Sequence, residues 1–200
     1  MIDWVELTES LAASPWLYVI LMSVSLLDSF LPLIPSEPVI IIAGVLAASG
    51  STNLVLVIGA TAVGAFLGDQ IPYALGRGLS DRVEKRLPAK SKRRASRDWI
   101  SAQLDARGGF VLVSTRFIPV GRYIVTVTSG MVRYDYRLYV LFTVLGGTAW
   151  SAYTVLTGYL GGVLFQENAL LAFLVGLGLA LALSGALEVI RRVRARGAMV

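Results

Sequence analysis

The stretch "TRFIPVGRYIVTVTSG", residues 115–130, sits between apolar segments yet carries Arg116 and Arg122, with Pro119 and Gly121 between them. A continuous helix turns side chains six residues apart by about 240°, so the two arginines converge only if the backbone breaks. Pro119 removes an amide donor and obstructs an ordinary helix, and Gly121 admits conformations that other residues avoid. The wider segment Phe110–Met131 is apolar enough to enter a bilayer and is bracketed by Arg107 and Arg133. Whether it crosses or turns back depends on its surroundings.

Those surroundings are greasy. The 200 residues are 56% hydrophobic and 16% charged, with a mean hydropathy of +0.70, a composition that indicates a membrane protein. Ala169–Leu187 runs nineteen residues without a charge, close to the length that spans a hydrocarbon core of about 30 Å. Leu138–Gln166 is also uncharged, Leu54–Leu79 is long enough despite Asp69 and Arg77, and Ser10–Leu27 is a fourth candidate. Met1–Glu9 carries three acids and no Lys or Arg, unlike a signal peptide, so the first apolar segment is expected to be retained. Cysteine and histidine are both absent, which removes disulfides, thiol nucleophiles, imidazole bases and Cys/His zinc sites. The chain reads as a non-enzyme with no metal and no cofactor.

The net charge of +5 is concentrated beside apolar segments, which argues against a nucleic-acid partner. Eight Lys or Arg fall within Arg82–Arg97, and four arginines lie in the tail at 191, 192, 194 and 196. Positive segments flanking spanning helices mark the cytoplasmic side, and they attract anionic lipids. With the basic stretch and the tail both cytoplasmic, the chain between them crosses an even number of times. Leu138–Gln166 and Ala169–Leu187 supply two crossings, so Phe110–Met131 goes in and comes back out. Broken backbone at membrane depth is tolerated only where protein or water satisfies it, so this hairpin lines a cavity.

A similar arrangement precedes it. "FLPLIPSEPVIIIAG", Phe30–Gly44, sets prolines 32, 35 and 38 around Glu37, with Pro35 as the expected break. Each hairpin is followed by a crossing helix with glycines twelve residues apart, Gly64 and Gly76 in one, Gly146 and Gly158 in the other. The expected fold is an all-α integral membrane protein forming one domain over residues 1–200. Its first half is 10–79, with a re-entrant hairpin at about 28–50, followed by a basic cytoplasmic loop at 80–98. Its second half is 99–166, with a hairpin at about 110–131, and a C-terminal transmembrane helix occupies 167–190. The two crossing helices run in opposite directions, so the repeats are inverted, an arrangement known from transporters with sites between the halves. "DWISAQLDARGG" places Trp99, Ile100, Gln103 and Leu104 on one face of a short interfacial helix.

Six ionisable residues fall inside apolar stretches: Asp28, Glu37, Asp69, Arg77, Arg116 and Arg122. Such groups need a cavity or a partner, and they mark functional sites. Asp28 and Arg77 lie near segment ends, where a side chain reaches the interface, and are read as structural. The site candidates are Glu37, Asp69, Arg116 and Arg122. Arginine stays protonated and offers a planar fork of donors that matches phosphate oxygens. Glu37 and Asp69 are the groups able to take up protons, either to couple transport to a proton gradient or to hold the arginines in place.

"PSEPVIIIAG", "GDQIPYALGR", "RFIPVGRYIVTVTSGM" and "LGGTAWSAYTVLTGYLGG" together resemble the DedA membrane protein family, whose fold is also called the SNARE-associated or VTT domain. The likeness covers residues 28–163. It implies paired re-entrant hairpins, an inverted repeat and lipid translocation, including undecaprenyl phosphate recycling. On matching positions it assigns the acid of the first hairpin to Glu37, the Gly-Asp motif to Asp69 and the paired arginines to Arg116 and Arg122. Pro38 replaces the aliphatic residue usual after the glutamate, and "PVGR" stands where "PGVR" is usual. The expected function is movement of undecaprenyl phosphate or a similar phosphate-headed lipid between leaflets of the bacterial cytoplasmic membrane. A phospholipid flippase or scramblase, for instance for phosphatidylethanolamine, and a proton-coupled transporter of a small soluble ion are the alternatives. Oligomeric state is not readable from these residues.

Overall fold

The computed structural model describes residues 14–31, 35–86, 92–116, 118–164 and 178. Seven α-helices and no strands occur among the described residues: α1 (Trp16–Phe30), α2 (Glu37–Ala48), α3 (Leu54–Arg86), α4 (Lys92–Arg107), α5 (Phe110–Thr115), α6 (Pro119–Met131) and α7 (Tyr136–Leu164). The two long helices start at side-chain caps. Asn53 Oδ1 accepts from the amides of Val55 and Leu56 at 3.0 and 3.1 Å ahead of α3. Asp135 Oδ1 accepts from the amide of Leu138 at 3.0 Å ahead of α7. Each satisfies amides that the first turn leaves without intrahelical partners.

Two helical stretches are long and apolar enough to cross a membrane, Leu54–Ser80 and Tyr136–Leu164. They match two of the expected spans. On α3 the exposed apolar side chains Val63, Leu67, Ile71, Leu75 and Leu79 recur every four residues, a stripe suited to lipid rather than water. The candidate Ser10–Leu27 takes a different form: α1 has 15 residues, about 22 Å of helix, which falls short of a hydrocarbon core. The expected spans Ala169–Leu187 and 167–190, and the basic tail, lie outside the described residues apart from the single position 178. The basic stretch 80–98 is largely helix rather than loop, because α3 continues to Arg86 and α4 begins at Lys92. Lys and Arg favour helix in both flanks, and Pro88 falls in the undescribed residues between them. On α4, Ile100 and Leu104 are buried while Trp99 is exposed, so the buried face is narrower than the sequence pattern suggested.

The chain divides into two compact units, one formed by residues 1–17, 37–57 and 152–200, the other by 18–36 and 58–151. In the first, α2 packs on the C-terminal part of α7 through Ile40, Ile41 and Val155, all fully buried. The helices approach so closely that a methyl group on Gly44 would overlap the Val155 carbonyl oxygen, and one on Gly158 would overlap the Ile41 carbonyl oxygen. Small residues of this kind let membrane helices meet backbone to backbone.

In the second unit, Gly64 and Gly68 of α3 lie against the carbonyls of Met22 and Leu26 of α1, while Gly76 lies against the carbonyl of Val127 of α6. Gly130 of α6 returns the contact on the Tyr73 carbonyl. A core of Tyr73, Ile100, Leu104, Val111, Leu112, Val125 and Tyr139 joins α3 to α4, α5, α6 and α7. The Tyr73 and Tyr139 rings stack at 4.1 Å between centroids.

Candidate functional site

The segment 110–131 is two helices, and the break falls earlier than Pro119 and Gly121 imply. Helix α5 ends at Thr115, whose hydroxyl donates to the Val111 carbonyl at 2.7 Å. Ile118 is extended, at φ −130° and ψ 104°, the conformation that a following proline imposes. Pro119 opens α6, where its missing amide costs nothing, and Gly121 lies inside the helix. Arg116 therefore stands in the break and Arg122 in the first turn of α6. Pro35 lies two residues ahead of α2, outside the helix, and Glu37 begins it.

Both arginines are buried, at 4% and 5% exposure, and each meets a carboxylate. Arg116 Nη1 donates to Asp69 Oδ2. Arg122 Nη2 donates to the Asp28 backbone carbonyl at 2.7 Å and lies 3.4 Å from Asp28 Oδ2. The positive end of the α6 dipole would repel Arg122, and Asp28 offsets that repulsion. Asp69 is held from its main chain, since its carbonyl accepts from the Tyr139 hydroxyl at 2.6 Å. The Arg116 guanidinium lies 5.9 Å from the Trp150 ring centroid, within cation–π range. Gly147 leaves room beside it, for a Cβ there would already touch the guanidinium carbon at 3.6 Å.

The arrangement is not saturated. Arg116 Nε and Nη2, Arg122 Nε and Asp69 Oδ1 are buried and have no hydrogen-bond partner. Buried polar atoms are normally paired, so such atoms point to a ligand or an exchange of partners. Two cations at a backbone break, each with donors to spare beside its carboxylate, can receive an anion.

Of the four sequence candidates, the structure brings Asp69 and Arg116 together and seats Arg122 on Asp28. Glu37 is half-buried and belongs to the other unit. Asp28 is the residue that sequence reasoning passed over, because its place near a segment end suggested a snorkelling side chain. The equal number of acids and bases at membrane depth was the available signal. Tyr139 and Trp150 carried no sequence signal beyond lying in an apolar helix.

Residues 34–160 match the VTT domain. Protein DedA of Escherichia coli K12 is 27% identical over 187 residues, covering 90% of this chain and 85% of that protein. An uncharacterized membrane protein of Mycobacterium tuberculosis is 31% identical over 137 residues, covering 67% of this chain and 60% of its own length. Undecaprenyl phosphate transporter A of Staphylococcus aureus is 27% identical over 151 residues, covering 70% of this chain and 72% of that protein. No solved structure matches.

Proposed function

The chain belongs to the DedA family of VTT-domain membrane proteins, and from that premise we propose that it moves a phosphate-headed lipid, undecaprenyl phosphate or one like it, between the leaflets of the bacterial cytoplasmic membrane. The observation that carries this reading is the buried Arg116, whose Nε and Nη2 have no partner while Nη1 holds Asp69. Arginine's planar donor fork matches phosphate oxygens bidentately and with charge assistance, which a neutral oxygen or a cation does not offer it. A relative named for undecaprenyl phosphate transport supports the lipid assignment.

In this mechanism the headgroup phosphate binds Arg116 and Arg122 at the broken hairpin while the polyprenyl tail stays in the bilayer. Asp69 and Asp28 hold the arginines in position when no phosphate is bound. An arriving anion competes with the carboxylates, and protonation of Asp69 would release Arg116 to it. Glu37 is the second proton carrier of the cycle. The basic stretch 82–98 and the C-terminal tail face the cytoplasm and bind anionic lipids.

Inverted repeats and re-entrant hairpins are part of the proposal, and the helix crossings support them. Asn53 and Asp135 cap the two long helices 82 residues apart, and the same interval separates Gly64 from Gly146, Tyr73 from Val155, and Gly76 from Gly158. Gly76 lies on the Val127 carbonyl and Gly130 on the Tyr73 carbonyl; Gly158 lies on the Ile41 carbonyl and Gly44 on the Val155 carbonyl. The hairpin partners in these contacts are both 86 residues apart. One reciprocal crossing is thus built twice.

The assay is transfer between leaflets in proteoliposomes, run in parallel with undecaprenyl phosphate, phosphatidylethanolamine and inorganic phosphate. Undecaprenyl phosphate is expected to move faster than either alternative. Movement of phosphatidylethanolamine or free phosphate alone would transfer the reading to a phospholipid flippase or a soluble-ion transporter.

A further inference from the structure

A second cationic pocket lies away from Arg116. Gln70, Tyr73, Ala74, Arg77 and Gly78 of α3 and Tyr136 of α7 enclose an open cavity of about 550 Å3, within the size range of small-molecule sites. Arg77 is exposed at its rim and donates from Nη1 to the Tyr73 hydroxyl at 2.9 Å. Tyr136 donates its hydroxyl to Gln70 Oε1 at 3.3 Å across the cavity.

Position along α3 gives the pocket its meaning. Arg77 lies three residues from the end of the apolar stretch Leu54–Ser80, about 4.5 Å of helix rise, which is headgroup level. Asp69 lies eleven residues from that end, about 16 Å, near the middle of a bilayer core. The exposed Ile71, Leu75 and Leu79 run beside the pocket on the next face of the same helix. The surface thus offers a cation at headgroup level and an apolar track for a chain in the bilayer, which is the complement of an anionic lipid.

The pocket also reaches the buried pair. Tyr73, bonded to Arg77, stacks on Tyr139, whose hydroxyl donates to the Asp69 carbonyl. One layer of stacked rings separates the two arginine sites. We infer that Arg77, with Gln70 and Tyr136, is a docking site that takes the phosphate of the lipid at the membrane surface before it passes to Arg116. The inference rests on the lipid-transport reading for its substrate and adds a second station to the route.

Gly78 supplies an independent test, because a Cβ there meets nothing within 4 Å and leucine is the better helix former. Gly78→Leu adds bulk to the pocket wall from a position where a Cβ is free of clashes, and Arg77→Gln removes the cation. Gly59→Leu, also in open space, serves as the control. Binding of undecaprenyl phosphate to the detergent-solubilised full chain is measured alongside transfer in phosphatidylcholine vesicles containing that lipid. Arg77→Gln, through loss of one charge-assisted contact, and Gly78→Leu, through steric exclusion, are each expected to weaken binding about tenfold and to raise the half-saturating lipid content with the maximal rate kept. Arg77→Lys restores part of the affinity and Gly59→Leu behaves as wild type. Wild-type affinity in either Arg77→Gln or Gly78→Leu overturns the docking site. Competition by inorganic phosphate as strong as by the lipid overturns the lipid as its ligand. If the wild type binds with this sensitivity yet transfers no lipid, the site stands and the transport reading falls.

Discussion

Charge in an apolar chain is conspicuous, and for that reason Arg116, Arg122 and Asp69 were legible as individual residues. Their pairing was not. Sequence gives the number of acids and bases at membrane depth but not which acid meets which base, and the partner of Arg122 is Asp28, from a helix 94 positions away in sequence. Removing one member of a buried pair strands the other charge and costs about 3 kcal/mol or more, whereas removing both avoids that penalty. Asp28→Ala and Arg122→Ala are therefore each expected to lower thermal stability in detergent by more than the double variant does. Additive losses in the double variant would mean that the pair contributes no coupling. Asp69 Oδ1 and Arg116 Nε remain unsatisfied in the other buried pair, which fits the proposed exchange of partners.

At the scale of elements, the two helices long enough to cross a membrane and the break within 110–131 follow from apolar run length and from Pro119. The location of the break was less legible, because a proline constrains the residue before it and then serves as the first residue of a helix; α5 ends at Thr115 and Ile118 is extended, with Gly121 helical. The glycine spacing pointed to close packing without naming the neighbours. Those neighbours now divide the glycines into two classes. Gly76→Ala and Gly158→Ala drive a methyl into the carbonyls of Val127 and Ile41, and each is expected to destabilise by about 1–3 kcal/mol. Gly59→Ala and Gly78→Ala meet open space and are expected to be neutral or to stabilise by up to about 1 kcal/mol. Thermal unfolding of the four variants checks the division; equal effects across them would contradict the crossings described.

For the whole molecule, composition was enough to identify a membrane protein and uncharged run length to find its long helices, while orientation and repeat symmetry depend on where the basic segments lie. The absence of cysteine makes single-cysteine labelling direct. Ser51→Cys, between α2 and α3, is expected to react with an impermeant maleimide from outside intact cells, and Ser96→Cys, in α4, only after permeabilisation. The reverse pattern would invert the topology. The proposed function depends on this whole arrangement, in which a buried arginine stands at the break between two helices. Its most direct test is the transfer of undecaprenyl phosphate between leaflets of proteoliposomes by the wild type and by Arg116→Ala at matched folding. The expected result is transfer by the wild type and a loss of at least about a hundredfold in the variant, as for removal of a charged contact in a buried site. A wild type that moves no undecaprenyl phosphate, or an Arg116→Ala variant that moves it at the wild-type rate, would contradict the account.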